Sequence, residues 1–235
     1  MRRRFFVDEV RNGQAEINGE DARHLTRVLR VEPGQRYEIS DNRNVYLAEI
    51  ETARKERVVF RTLEKLEAPP LPLRIVLCAA LIKFDRFEWM IEKATELGVA
   101  EIVPVETILS ERGLERAAHK RVERWRRIAV EASQQSRRAN LPEVHEPASF
   151  KDALSWEANY RYALDENPGG TSLARTHSAT DTIALLIGPE GGWTEEERAA
   201  FTESGWTRVS LGPLILRAET AAIAALAVVA ATLTD

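Results

Sequence analysis

The chain reads as an α/β protein in which a small all-β unit precedes a larger, mostly parallel sheet. Three features of its 235 residues carry that reading. Residues 1 to about 66 hold short β-branched and aromatic runs punctuated by Pro33-Gly34 and Asp41-Asn42, the spacing of a small β-barrel. Ala68-Pro69-Pro70-Leu71-Pro72 then rules out both a helix and a central strand, which makes it a linker. Beyond it, short apolar runs alternate with amphipathic stretches. The expected units are residues 1–68 and 73–235.

In the first unit the strands fall at Phe5 to Val7, Gln35 to Ser40, Val45 to Glu51 and Arg57 to Leu66. His24, Arg27 and Arg30 recur at a spacing of three, which sets them on one face of a short helix that Glu20 and Asp21 open. After the linker, Leu73 to Leu81 is a strand. Asp85 to Leu97 is a helix with Phe84, Phe87, Ile91, Ala94 and Leu97 on one face and Gly98 as its stop. Ile102 to Val105 is a strand, and Leu114 to Arg138 one long helix with Val122, Trp125, Ala129 and Ala132 inward. Tyr160 to Leu164, Ile183 to Ile187 and Val209 to Leu211 complete the sheet. Pro168 to Ala179, rich in Gly, Ser and Thr, is a surface loop. Ala221 to Leu233 is a helix apolar on nearly every side, which must be covered all round.

At 44% hydrophobic and 30% charged, the composition is that of a soluble protein. Cys78 is the only cysteine, so an internal disulfide is impossible, as suits a reducing cytoplasm. Asp8 and Glu9 interrupt the N-terminus before a signal-peptide core could form, and the C-terminal apolar run is too short to span a bilayer. The net charge of −4 disfavours nucleic acid on average. Between Ser110 and Asn140, however, nine Lys and Arg face four acids, a local excess of five positive charges. Two readings stand for this run, an RNA-binding patch and a solvated helix face. His24, His119, His145 and His177 lack metal-ligand spacing, and no Gly-x-Ser-x-Gly elbow occurs, which sets aside metal and acyl-transfer chemistry.

The chemistry concentrates at two strand-to-helix turns. Leu186-Ile187-Gly188-Pro189-Glu190-Gly191-Gly192-Trp193-Thr194 runs from a buried strand through glycines into a helix opened by a Thr194/Glu197 capping box. Gly191 and Gly192 lack a Cβ, so their backbone can take positive φ and approach a ligand closely. Neither a Lys-Ser/Thr nor a Gly-x-Gly-x-x-Gly spacing is present, and Glu190 would repel a phosphate; a ligand carrying positive charge or hydroxyls suits the loop better. Val209-Ser210-Leu211-Gly212-Pro213-Leu214-Ile215-Leu216-Arg217-Ala218-Glu219-Thr220 repeats the design. Two such loops can line one pocket at the strand ends.

These two motifs together resemble the RsmE family of ribosomal RNA methyltransferases, of the SPOUT superfamily. His24-Leu25-Thr26-Arg27-Val28-Leu29-Arg30 resembles the family's N-terminal signature. Lys83 with Glu92-Lys93-Ala94-Thr95-Glu96-Leu97-Gly98-Val99, and Glu131-Ala132 with Gln135, Ser136 and Arg138, resemble its central motifs. The resemblance thus covers nearly the whole chain. Gly113, Leu214 and Ala218 depart from residues the family commonly carries there.

The resemblance implies a PUA-like RNA-binding barrel, a C-terminal trefoil knot, a homodimer in the cytoplasm, S-adenosylmethionine as methyl donor and uridine N3 of small-subunit (16S) ribosomal RNA as acceptor. The expected cofactor-binding residues are Leu164, Glu166, Leu186, Gly188, Pro189, Glu190, Gly191, Gly192, Leu211, Gly212, Leu216, Arg217 and Thr220. Backbone groups of the two loops would meet the adenine edge, Leu164, Leu186, Leu211 and Leu216 its faces, and Glu166 the ribose hydroxyls. Loss of the N3 proton spreads negative charge over the neighbouring carbonyls, which a cation would stabilise. Arg138 and Arg217 are the candidates for that task or for holding a phosphate; ion pairs with Glu219 or Glu131 are their competing role. Glu219 or Glu190 could take the proton if burial raised its pKa. Arg2, Arg3, Arg4, His24, Arg27, Arg30, Arg112 and Arg138 are the candidate RNA contacts. A ribose 2′-O-methyltransferase, a transfer-RNA enzyme and a noncatalytic RNA-binding ribosome-assembly factor are the alternative functions.

Overall fold

The structure is a computed structural model that describes residues 3–68, 73–167, 171–173, 177–231 and 233–234. The linker positions 69–72 and part of the expected 168–179 loop lie outside the described residues. The chain divides into two compact units, residues 1–70 with 133–141, and residues 71–132 with 142–235.

The first unit holds β1 (Arg4–Phe6), β2 (Gln14–Asn18), α1 (Gly19–Arg27), β3 (Arg36–Ser40), β4 (Val45–Arg54) and β5 (Arg57–Leu66). The strands form one curled five-stranded sheet in the order β1-β3-β4-β5-β2. β1 and β2 are its two ends, and no ladder joins them among the described residues. β2 was not expected. Ala15 and Ile17 point inward between exposed polar residues, the period-two pattern of a half-buried strand. Phe5, Ile39, Ile50, Val58 and Phe60 fill the core, and Leu25 of α1 joins them. Ser133–Leu141 belongs to this unit through Arg4 and Arg137, both paired with Glu38, and through Ser40 and Asn42, which bond to Ala139, Asn140 and Leu141.

The second unit runs β6 (Arg74–Ala80), α2 (Phe84–Glu96), β7 (Glu101–Glu106), α3 (Leu114–Ala118), α4 (Val122–Ser136), β8 (Glu143–Val144), β9 (Ala148–Ser149), α5 (Phe150–Leu154) and β10 (Tyr160–Leu164). It continues through β11 (Thr171–Ser172), β12 (His177–Ser178), β13 (Thr182–Ile187), α6 (Glu195–Glu203), β14 (Thr207–Ser210), α7 (Ala218–Ala231) and β15 (Leu233–Thr234). Its main sheet has the order β11-β14-β10-β13-β6-β7-β8, with β9 also on β7, and every ladder in it is parallel. Both faces are covered, so successive residues serve different cores. Ile75, Leu77 and Ala79 of β6 pack with α2, α7 and Trp125, while Val76 and Cys78 pack with Trp193, Phe201 and Trp206.

Two expectations about elements are corrected. The helix foreseen over Leu114 to Arg138 is broken at His119–Arg121, where Lys120 and Arg121 donate to carbonyls three residues back, the tight pattern that ends an α-helix. Within the expected 168–179 loop, Thr171–Ser172 adds to the edge of the sheet and His177–Ser178 pairs with β15.

Candidate active site

Because the sheet is parallel, the C-terminal ends of β10, β13 and β14 meet on one side, at the point where strand order departs from chain order. Open α/β sheets bind ligands there. The loops leaving these strands enclose a cavity of about 500 Å³, within the range of small-molecule sites. Leu164, Ile187, Val209, Leu211, Ala218 and Ala221 give it apolar surface, and Glu166, Glu190, Arg86 and Arg217 give it charge.

The first glycine turn is shaped from below by Trp193. Its indole N–H donates to the Leu164 carbonyl at 2.8 Å, which ties the end of β10 to the turn after β13. The same ring lies so close under Gly188 that a Cβ there would sit 2.9 Å from Trp193 Cε2. Gly192 takes φ of 72°, and a Cβ on it would fall 2.6 Å from Glu166 Oε1. Gly191 differs from expectation: its φ is not positive, and its missing Cβ makes room for Leu109, whose Cβ would be 3.0 Å away. The capping box is present, with Thr194 and Glu197 bonding each other's backbone N–H. Glu197, fully buried, also accepts from the Ile108 amide at 3.0 Å, so one carboxylate caps α6 and pins the loop after β7.

Glu166 is held by Arg198 at 3.1 Å, and Arg198 in turn grips buried Asp165 beside Arg208. Burial works against the Arg198 cation, but the Asp165 hydrogen bonds and the charges of Asp165, Glu166 and Glu195 outweigh it and raise its pKa. Arg86, also in the lining, pairs with Glu190 and stands 3.9 Å from Glu219, which itself lies outside the lining. Glu219 is buried, and its Oε2 has no hydrogen-bond partner among the described residues. Arg217 lines the cavity, exposed and without an ion-pair partner among the described residues; the carboxylate foreseen for it is met by Arg86.

The cavity thus gathers Leu164, Glu166, Gly188, Pro189, Glu190, Gly191, Gly192, Leu211, Gly212, Leu216 and Arg217. Leu186 is not in its lining. Strand side chains alternate, so Leu186 faces the other core with Val76 and Cys78, while Ile187 faces the cavity side. Thr220 is exposed on α7 and outside the lining. Asp165, Trp193 and Arg86 were missed. A carboxylate adjoining Glu166 and a tryptophan directly after the double glycine were signals; Arg86, far away in sequence, gave none.

Arg138 groups with the first unit, and it is buried, with its Nε donating to the Asn140 carbonyl at 3.0 Å. Burial pulls its pKa down to about 10. Among the RNA candidates, Arg2 lies outside the described residues, Arg3 is exposed, and Arg4 is a correction. Arg4 is buried, pairs with Glu38 at 2.8 Å and donates to the Arg137 carbonyl, so its charge serves the unit's interior. His24 and Arg27 are exposed on α1, but Arg30 lies past its end with φ of 51° and is not on that helix face. Arg112 is exposed in the loop before α3. His145 comes together with Glu101 and Glu143, the three ligand atoms within 4.8 Å of one another, although Arg74 already pairs with Glu101.

A doubly covered parallel sheet with a charged cavity at its switch point defines a ligand-binding α/β enzyme class, and comparison narrows it. Residues 69–230 match the family described as RNA methyltransferase domain, and residues 17–63 the RNA methyltransferase PUA domain. The chain is 30% identical to ribosomal RNA small subunit methyltransferase E of Bacillus subtilis, over 96% of this chain and 95% of that one. It is also 35% identical to the Synechocystis protein of that name, over 89% of this chain and 70% of that one. Its structure is similar to the crystal structure of the Neisseria gonorrhoeae methyltransferase E bound to S-adenosyl methionine, with TM-score 0.87, 30% identity and coverage of 97% and 96%. A Legionella pneumophila methyltransferase in complex with the same cofactor gives 0.88, 30%, 100% and 99%. The chain belongs to the ribosomal RNA small subunit methyltransferase E (RsmE) family of RNA methyltransferases.

Proposed function

We propose that this protein uses S-adenosylmethionine to methylate N3 of a uridine in small-subunit ribosomal RNA. One observation carries the reading: both glycine turns, three carboxylates and an unpaired guanidinium share a single cavity at the sheet's switch point. The residues fit such a cofactor. Glu166, steadied by Arg198, offers an acceptor for ribose hydroxyls; Gly192 keeps the backbone free to approach; and Leu164, Leu211 and Leu216 give apolar cover to a flat ring.

When bound, the cofactor supplies an electrophilic methyl group on a sulfonium. The chain's own task is to align the acceptor and manage its proton. Arg217 stabilises the negative charge that spreads over the uracil carbonyls as the N3 proton leaves, and Glu219 accepts that proton. Arg86, which pairs with Glu190 and reaches toward Glu219, fixes where the second carboxylate stands.

The proposal extends to SPOUT membership with a C-terminal trefoil knot, to residues 1–68 as a PUA-like RNA-selecting unit, to a homodimer and to a cytoplasmic site of action. Support comes from the RsmE relatives and from the α7 face described below. No helix among the described residues is long and apolar enough to cross a membrane. Calorimetric titration with S-adenosylmethionine and nucleoside analysis of ribosomal RNA from a deletion strain test it. The expected results are binding and the loss of one N3-methyluridine; loss of a 2′-O-methyl nucleoside or a transfer-RNA modification points to the alternative enzymes, and absence of binding to a noncatalytic factor.

A further inference from the structure

A second cavity, of about 480 Å³, opens at the C-terminal ends of β6 and β7 and is lined by Leu81, Glu106, Thr107, Ile108, Ser110, Arg112, Gly113, Glu115 and Arg116. The basic run that the sequence marks between Ser110 and Asn140 is not uniformly available to an anion. Arg121 and Arg124 both lie on Glu88, at 3.5 and 2.7 Å, and Arg126 on Glu123 and Glu146. Arg137 is held by Glu38, and Arg138 is buried. Arg112 and Arg116 are different. Both are exposed, and neither has an ion-pair partner among the described residues. Glu115, which adjoins Arg116 in sequence, directs its carboxylate to the Gly113 N–H at 2.9 Å instead. The solvated-face reading therefore describes Arg121, Arg124 and Arg126, while Arg112 and Arg116 line a cavity with exposed guanidinium groups that form no ion pair with its Glu106 or Glu115 among the described residues.

The other lining groups suit one nucleotide. Leu81 and Ile108 provide apolar surface for a base face, and the Thr107 and Ser110 hydroxyls with the Glu106 carboxylate provide hydrogen-bonding groups for a base edge. The cavity is also coupled to the proposed active site. Ile108 donates to Glu197 of the capping box, and Leu109 packs against Gly191, so the strip Ile108–Leu109 links the rim of the second cavity to the first glycine turn.

We propose that this second cavity binds a single-stranded nucleotide flanking the target uridine, with its phosphate held by Arg112 and Arg116. The inference rests on RNA being the substrate, as argued above. A base modified on its pairing edge must be unpaired or extruded, and the cost of doing so is offset by contacts to its neighbours, which also set sequence context.

The test compares two double variants of the full chain, Arg112→Gln/Arg116→Gln and Arg124→Gln/Arg126→Gln, using a 16S ribosomal RNA fragment and a uridine-rich single-stranded 15-mer as probes over a salt series. Single-strand binding loses about 0.7 in the slope of log affinity against log salt per phosphate contact. The first variant should lower the slope by about 0.7 for both probes and weaken binding, while S-adenosylhomocysteine affinity stays at the wild-type value; the second should leave the slope unchanged. An unchanged slope in the first variant, or an equal fall in both, overturns the proposal. Mass spectrometry after cross-linking 4-thiouridine-substituted fragment to the wild type should recover peptide 107–116, and cross-links found only elsewhere also overturn it. Neither readout needs methyl transfer, so failure of the N3-methylation reading shows separately, as a wild type that neither binds S-adenosylmethionine nor methylates RNA.

Discussion

Gly192 and Glu166 show how finely the site depends on single atoms. A methyl group on Gly192 would meet the Glu166 carboxylate and would also hold a non-glycine residue at φ of 72°, a conformation that costs roughly 1–2 kcal/mol. Gly192→Ala is therefore expected to lower stability by about that amount in urea melts and to weaken S-adenosylmethionine binding by at least about tenfold, because Glu166 must move. Gly191→Val is a poorer probe, since its added atoms strike Leu109. Cys78 gives a prediction in pH. Burial pushes its thiol up to about 12 from an ordinary value near 9. The folded state thus keeps the proton that the unfolded chain releases, so this contribution to stability is intact below pH 9 and falls as pH rises toward 12, by up to about 1.4 kcal/mol per unit. The slope should be absent in Cys78→Ala, and in the native wild type the thiol should resist alkylation at pH 8. At this scale the glycines were legible because no other residue fits such turns. Arg86 was not: its role comes from α2 and α7 packing together, which no local pattern encodes.

The strand-to-helix turns were the most readable elements, because a buried apolar run, glycines and a capping box each independently mark a boundary. The break between α3 and α4 left no mark: residues 114–138 contain no glycine or proline, and helical spacing of apolar residues continues through it. The two-residue strands β8, β9 and β11 are also silent in sequence, since neighbouring strands create them. The α6 cap tests how elements are joined. Thr194→Ala removes one capping bond and should cost about 0.5–2 kcal/mol. Glu197→Ala removes its half of the cap and also the Ile108 anchor, so it should cost more. Hydrogen exchange separates the two, with the Ile108 amide accelerated in the Glu197 variant and unchanged in the Thr194 variant. Equal exchange at Ile108 in both would mean that the loop after β7 is held by something other than this carboxylate.

For the whole molecule, the two sequence units are not separable at residue 68. Arg137, Ala139, Asn140 and Leu141 find their partners in Glu38, Ser40 and Asn42, so deleting residues 1–68 strips a segment of the remaining chain of its hydrogen bonds. The role of the N-terminal sheet is better tested with His24→Ala/Arg27→Ala on exposed α1, which should weaken RNA binding and reduce its salt dependence without altering S-adenosylmethionine affinity. The proposed homodimer has its candidate interface on α7. Ala222, Ala225, Leu226 and Val229 are buried within the unit, but Ile223, Ala224, Ala227, Val228, Ala230 and Ala231 retain exposure, leaving a second apolar face on a helix with no charge after Glu219. A surface-facing helix ordinarily carries polar residues on its outer side, so this face fits a second copy of the chain in an isologous contact. The cavity borders the same helix through Ala218 and Ala221, so the proposed dimer would form beside the site. Ala227→Glu puts a charge on the face without touching the buried side, and it should convert a dimer to a monomer in light scattering at micromolar concentration while thermal unfolding stays cooperative. Methylation should fall with it. A wild type that is already monomeric under those conditions, or a variant that remains dimeric, would remove α7 from the interface and leave its apolar outer face without an explanation.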